Sequence, residues 1–437
     1  MDKELKFDIS KDLYIEAQKY IPQGVNSAGR SSSTFKPHPI FIDKGIGAKI
    51  YDVDGNKFID YYLAAGPLIL GHNPKIVIDG VKKQLDKGTI FWSEIPLTIE
   101  LAKNITNIIP SAEMVRFSST GTEAVIHAIR MARGFTNKNK IIKFEGQYHG
   151  DIDYFITAWS YDKIGGPKDN PFKIAESKGI PEKVLDDILI AEWNNVESIE
   201  KIVLNNKDEI AAIITAPIVC SCGVIPPTQK YLQILRKICD ENNILLIFDE
   251  IVTGFRVALG GAQEYYEVIP DICITGKAMG SGLPISAIMA KKEIMNILND
   301  DKVIHLGTFN ANPLCITASN ITINHLKNGA LDYIHKQGNK LIKGIKNSIQ
   351  DLKIDAIIQG HESVFQIFFT KLSQIESGRE LNKVNHKKYE EFSSELRNNG
   401  IWTYPKATGH WFISEAHDDE IIDETINIIY QALKKTK

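Results

Sequence analysis

Residues 244–290 read ILLIFDEIVTGFRVALGGAQEYYEVIPDICITGKAMGSGLPISAIMA. An unbroken apolar run, 244–248, ends in two carboxylates, Asp249 and Glu250. A second run, Ile272–Thr275, is rich in β-branched residues and ends in Gly276-Lys277. Two short apolar strands, each ending on a charged residue with glycines close by, present side chains to a ligand at one edge of an open α/β sheet. An amine there can form a Schiff base, and an acid can keep a pyridine nitrogen protonated. Lys277 and Asp249 together point to pyridoxal phosphate (PLP). Taken alone, both residues also fit ordinary strand ends facing water, so the rest of the chain has to decide.

The chain has 437 residues, enough for a large core and more than one domain. Its 43% hydrophobic and 24% charged content is that of a globular protein. A formal net charge of −3 supplies no basic field, which argues against nucleic acid and anionic membrane as partners. No stretch approaches the roughly 18 consecutive apolar residues of a membrane span. MDKELKFDIS, at residues 1–10, has no apolar signal core, and five Cys make no disulfide framework in a chain this long. The expectation is a cytoplasmic protein with reduced thiols.

Residues 10–20 read as an amphipathic helix with Ser10 as N-cap, ended by Pro22 and Gly24. A polar loop follows and contains Ser27 and Arg30. Arg30 has the fork to clamp a carboxylate and equally the setting of a solvated loop arginine. Strands are expected at 40–42 and 49–53, with a turn at Asp54-Gly55. Gly45-x-Gly47 has no helix after it and carries no nucleotide-binding meaning. Residues 75–88 read as a helix. The strand Met114–Ser118 leads through Ser119-Thr120-Gly121-Thr122-Glu123 into a helix. Free N–H groups, a positive dipole end and hydroxyls make such a turn a phosphate cup; the same residues also make a plain N-cap. The strand Lys140–Phe144 ends near Tyr148 and His149, which could stack on a planar ring or simply fill space. Residues 159–185, rich in Gly and Pro, read as a mobile lid or a surface excursion. A strand at 211–215 precedes Cys220-x-Cys222. No second Cys or His pair at finger-like spacing accompanies these cysteines, so they read as small buried residues and no metal site is expected. A helix at 230–242 returns to the 244 strand. Strand–helix alternation from about 111 to 290 predicts a mostly parallel sheet. Beyond a polar loop at 305–313 come a long helix around 313–327, strands at 363–369 and 411–414, and helices at 386–399 and 418–434. That change of style marks 320–437 as a smaller α+β domain.

In order, Thr120-Gly121-Thr122-Glu123, Tyr148-His149, Phe248-Asp249-Glu250 with Thr253-Gly254-Phe255-Arg256, Gly276-Lys277 and Gly307-Thr308 with Asn312-Pro313 form a specific set. The set resembles the class III aminotransferases, PLP enzymes of fold type I, and within them the glutamate-1-semialdehyde aminomutase branch. GVNSAGR, YDVDGNKFIDY, GPLILGH, AIRMARGFT, KIIKFEGQYHG and LLIFDEIVTGFRVALGGAQ carry the likeness, from about residue 20 to 425. The resemblance implies an α/β fold with a mostly parallel seven-stranded sheet in a large domain, 75–319. Residues 1–74 would join the small domain, 320–437. It implies a homodimer with shared active sites. Lys277 would hold PLP through a Schiff base and then shuttle a proton, and Asp249 would pair with the pyridine nitrogen. Thr120, Gly121 and Thr122 would bind the phosphate, joined by Thr308 from the neighbouring subunit. Tyr148 would lie against the ring, with His149 beside it. Ser27 and Arg30 would bind the substrate carboxylate.

Three positions depart from the aminomutase pattern. Ala65 stands where Trp is typical, Gly409 where a Glu is, and Ala216 where another Glu precedes the proline. Lost bulk and charge predict a larger pocket at Ala65 and Gly409. The expectation is an aminotransferase moving an amino group between an amino donor and an oxo acceptor, both small molecules. The carboxylate-bearing substrate would be larger than glutamate 1-semialdehyde: a β-amino, aryl or specialised-pathway compound. The alternatives are the aminomutase itself, a racemase or epimerase, and a non-catalytic binding protein, the last of which would have lost Lys277.

Overall fold

The computed structural model describes residues 5–437, without the side chains of Asp300 and Asp301. Met1–Glu4, the start of the stretch read for a signal core, lie outside the described residues.

Seven strands form the central sheet in the order Met114–Ser118, Ser286–Ala290, Ile272–Thr275, Leu245–Glu250, Ile210–Thr215, Lys140–Phe144, Ile188–Ala191. Only Ser286–Ala290 runs against its neighbours. Both faces are covered, which is why these strands read as apolar runs without alternation. Successive residues enter opposite cores. Leu246 and Phe248 pack in one cluster with Leu232, Leu235 and Ile238 of the helix Tyr231–Asn242. Ile247 packs in another with Ala124, Val125, Ala128 and Ile129 of the helix Gly121–Thr136. Asp249 pairs in register with Ile274, and Glu250 with Thr275, so the acid-bearing strand ends beside the one leading to Lys277.

A four-stranded sheet joins Ile42–Ile46, Lys49–Asp52 and Lys57–Asp60 to Ile401–Trp402, so the two ends of the chain meet through Ile59 and Ile401. A three-stranded sheet holds Ile357–His361, Val364–Phe368 and Trp411–Phe412. The closing helix Asp419–Lys435, capped by Asp418, buries Ile422, Ile429 and Leu433 against the long helix Leu331–Leu352.

Several local expectations shift. The first helix is Asp8–Ala17, and Ser10 lies inside it. Its start is held by Asp54, whose carboxylate accepts from the N–H groups of Ile9 (2.7 Å) and Ser10 (3.0 Å). The strand expected at 40–42 is Ile42–Ile46, and Lys57–Asp60, Ile188–Ala191 and Ile357–His361 are strands the spacing did not predict. Within 159–185, Gly165 and Gly166 are pinned down. Arg379 grips Glu145 with two bonds, 2.7 and 3.0 Å, and donates to the Gly166 carbonyl (2.9 Å), while Gly165 N–H donates to Glu145 (3.2 Å). Among the described residues no helix is long and apolar enough to cross a membrane.

Candidate active site

The helix Gly121–Thr136 begins with a capping box. Thr120 Oγ1 accepts from Glu123 N–H (3.2 Å), and Glu123 accepts from the N–H groups of Ser119 (2.8 Å) and Thr120 (2.9 Å). The N–H groups of Gly121 and Thr122 are left without a partner among the described residues. Two adjacent free donors at the positive end of a 16-residue helix are suited to an anion. The plain cap and the phosphate cup are thus the same turn.

Glycines bring three elements together here. A Cβ on Gly121 would come within 3.0 Å of Ile251 Cδ1, and so would a Cβ on Gly276. Ile251 follows Asp249 and Glu250, and Gly276 precedes Lys277. The cup, the acid-bearing strand end and the lysine turn therefore converge on one side chain. Lys277 has a left-handed backbone (φ 40°), a strained conformation of the kind that gathers at functional sites. Burial pushes its amine below the ordinary lysine value, and the nearby Cys220 and Asp249 partly restore it.

The adjacent carboxylates divide their work. Glu250 is fully buried and accepts from Ala262 N–H, Gln263 N–H and Thr253 Oγ1, so it braces the following loop. Asp249 accepts from Ile251 N–H at Oδ1 (3.1 Å) and meets His149 Nδ1 at Oδ2 (2.7 Å). His149 is fully buried against Phe155, and burial lowers its pKa. Tyr148 is 42% exposed, with its ring edge-on to Trp159.

A second group of residues comes from both chain ends and is joined to the segment after Ile210–Thr215, where His410 Nδ1 donates to the Cys220 carbonyl (3.0 Å). Tyr62 and Tyr404 pack at 5.3 Å, and Tyr62 also stacks on His410 at 6.0 Å. Burial pushes the Tyr62 hydroxyl up, Tyr404 adds to the rise, and the Arg30 charge opposes it. Arg30 itself is exposed in the turn Ala28–Arg30, next to exposed Ser27. Leu63, Ala64, Ala65 and Gly66 form a left-handed run (φ 46°, 54°, 67° and 108°). Such a run needs external support. Arg256 supplies it, donating to the carbonyls of Gly66 (2.6 Å), Ser363 (3.2 Å) and Ile413 (3.1 Å), with its guanidinium over Phe412 at 4.6 Å. Burial lowers the pKa of this fully enclosed cation to about 9.

Of the expected site residues, Thr120, Gly121, Thr122, His149, Asp249 and Lys277 gather at the sheet edge. Ala65 and Gly409 belong to the Tyr62–Tyr404 group. Thr308 is exposed in the loop after His305, which is tied to the cup strand through Ser118 Oγ (3.0 Å). Tyr62, Tyr404 and His410 were missed. Their only sequence signal is aromatic and imidazole rings near glycines in two segments that meet only in the fold. Arg256 stood in the quoted TGFR without a role.

Free N–H groups, a buried amine and a carboxylate match a phosphate, an aldehyde and a pyridine nitrogen, so these residues fit PLP. Residues 31–433 match the family described as aminotransferase class-III. A glutamate-1-semialdehyde 2,1-aminomutase of Methanococcus maripaludis is 40% identical over 438 aligned positions, covering 100% of each chain. One of Hyperthermus butylicus is 40% identical over 432, covering 98% of this chain and 99% of its own. An omega-transaminase of Sphaerobacter thermophilus superposes with a TM-score of 0.91 at 28% identity, covering 98% of this chain and 97% of that one.

Full-length likeness to aminomutases overturns the expectation of an aminotransferase for a substrate larger than glutamate 1-semialdehyde. The physical reason is visible at Gly409. A Cβ there would overlap the Tyr404 ring, so the space of the absent glutamate is filled rather than open. From residue 31 to residue 433 the chain belongs to the class III aminotransferases, and its cofactor is PLP.

Proposed function

We propose that this protein is a glutamate-1-semialdehyde 2,1-aminomutase. It moves an amine from carbon 2 to carbon 1 of glutamate 1-semialdehyde, and the product is 5-aminolevulinate. The observation that carries this reading is the 40% identity to relatives of that name with all of both chains aligned.

The N–H groups of Gly121 and Thr122, with the hydroxyls of Thr120 and Thr122, hold the phosphate. Asp249, steadied by His149 at 2.7 Å, would pair with the pyridine nitrogen, and Tyr148 would lie against the ring. Lys277 holds the cofactor through Nζ. When bound, PLP supplies an electron sink for the charge left on a reacting carbon. The lowered pKa of Lys277 keeps more of its amine neutral near neutral pH, so Nζ can take a proton from one carbon and return it to the next. Arg30 and Ser27 bind the substrate carboxylate beside Tyr62.

The functional unit is a homodimer in the cytoplasm, with a large domain at 75–319 and a small one formed by 1–74 and 320–437. Its contact surface includes Phe91 (45% exposed), Trp92 (91%), Leu306 (78%) and Phe309 (63%). The two loops that carry them are joined by Asn312 Nδ2 donating to the Thr89 carbonyl (3.1 Å). Thr308, exposed between Leu306 and Phe309, reaches the phosphate held by the neighbouring subunit.

The test is to incubate the purified, PLP-loaded protein with glutamate 1-semialdehyde, adding neither amino donor nor oxo acid. Catalytic formation of 5-aminolevulinate is expected. Turnover that starts only when an external donor and acceptor are supplied would reject the assignment.

A further inference from the structure

We propose that His410 is a substrate-binding residue whose Nε2 accepts a hydrogen bond from the substrate's amine. This rests on the aminomutase reading, in which the substrate carries an amine beside its reacting carbonyl.

His410 lies just before the strand Trp411–Phe412. Its Nδ1 is 3.0 Å from the carbonyl oxygen of Cys220. A carbonyl only accepts, so Nδ1 carries the proton and Nε2 presents a lone pair. Nε2 is buried and has no partner among the described residues. The ring cannot turn away from this position. Tyr62 stacks on it at 28° between planes, and Phe412 meets it edge-on at 4.6 Å. It also cannot satisfy Nε2 by taking up a proton. Burial, and next the charge of Lys277, lower its pKa to about 3. A fixed, neutral, unshared acceptor is left beside Cys220, whose neighbour Ser221 accepts from the N–H of Tyr148 (3.1 Å).

Both Asp249 oxygens have partners in His149 and Ile251. His149 Nε2 is also unshared, but that ring is bonded to Asp249 and packed on Phe155, whereas the His410 ring packs on Tyr62. A glutamate at position 409 would compete with Tyr404 for space. A substrate amine, with N–H groups to donate, is the complement of the His410 acceptor. The carboxylate at the other end of the substrate would lie toward Arg30, past Tyr62.

The test compares two aldehydes on the enzyme loaded with the pyridoxamine form of the cofactor, whose amine condenses with an aldehyde. Glutamate 1-semialdehyde has the amine; 5-oxopentanoate has the same carboxylate and aldehyde without it. Binding of 5-oxopentanoate is read from the visible band of the amine-loaded enzyme. In His410→Phe, KM for glutamate 1-semialdehyde should rise about tenfold or more, while apparent affinity for 5-oxopentanoate stays within about twofold. His410→Gln, which keeps an acceptor near the Nε2 position, should recover to within about threefold of the parent KM. Cofactor content and circular dichroism of each variant report loading and folding. Equal shifts for both aldehydes, or none for either, would overturn the assignment. If His410→Phe does not load cofactor, His410→Leu is read in the same way, and loss of loading in both marks a structural residue and rejects the proposal. A parent enzyme that makes no 5-aminolevulinate removes the aminomutase reading and this inference with it. A parent that makes it while His410→Phe keeps its KM removes this inference alone.

Discussion

Burial weighs on the amines of two lysines, Lys143 and Lys277, and their partners separate their roles. Lys143 is fully buried and donates to the carbonyls of Thr157 (2.6 Å) and Phe155 (3.4 Å). Lys277 Nζ has no hydrogen bond among the described residues. Burial lowers both amines, Lys143 to about 7. The sign of the pH effect follows. Below about pH 7 Lys143 is charged in both folded and unfolded chains, and the folded state bears the full cost of burying that charge. Between about 7 and the ordinary value of 10.5 the cost fades, and above it none remains. Lys143→Met should therefore stabilise the protein on the order of 1–2 kcal/mol near pH 6, after loss of its two hydrogen bonds, with the gain shrinking toward pH ~10. Denaturant midpoints across that range read this out, and a gain that grows with pH would contradict it. Nothing in KIIKF distinguishes Lys143 from a solvated lysine. Its burial comes from the segment 155–157 folding over the strand. Lys277 was legible because it stands at the end of an apolar run, between glycines, beside another strand that ends in an acid.

At the level of elements, the cup is two interlocked turns. Gly150 has φ 96°, and a Cβ there would come 2.9 Å from Thr122 Oγ1 and 3.0 Å from Thr122 Cα. Asp151 N–H donates to Thr122 Oγ1 (3.2 Å). Gly150→Ala should displace Thr122 while leaving the helix behind it intact. The expected result is a loss of about 1–3 kcal/mol in stability and about tenfold weaker PLP binding, measured by equilibrium dialysis beside circular dichroism. Unchanged PLP affinity would show that the cup tolerates the shift. The strand–turn–helix at 114–136 was readable because a local capping box and a 3.6-residue apolar period specify it. The short strands at 57–60 and 188–191 were not. Four residues carry too little periodicity, and what makes KFID and ILIA strands is the partner each one finds.

At the scale of the whole molecule, the apolar surface around Trp92 and Phe309 calls for a covering partner. Trp92→Glu should place a charge in the proposed dimer contact. Sedimentation velocity should then show monomer. PLP retention should fall with it, because Thr308 would no longer reach the other subunit's phosphate. A dimer of unchanged stability would move the interface elsewhere. Arg256 ties the molecule together from inside by gripping the carbonyls of Gly66, Ser363 and Ile413, which lie on three separate segments.

By itself the sequence determined the sheet class and the cofactor. Those features rest on local patterns: apolar runs ending in charge, a capped helix start, and glycines at close turns. The substrate side was a matter for the tertiary structure. Ala65 and Gly409 looked like missing bulk in a linear reading. In the fold, Tyr404 occupies the place of a side chain at Gly409, and the His410 ring packs on Tyr62. Pocket volume is a property of what packs from other segments, and no single stretch encodes it.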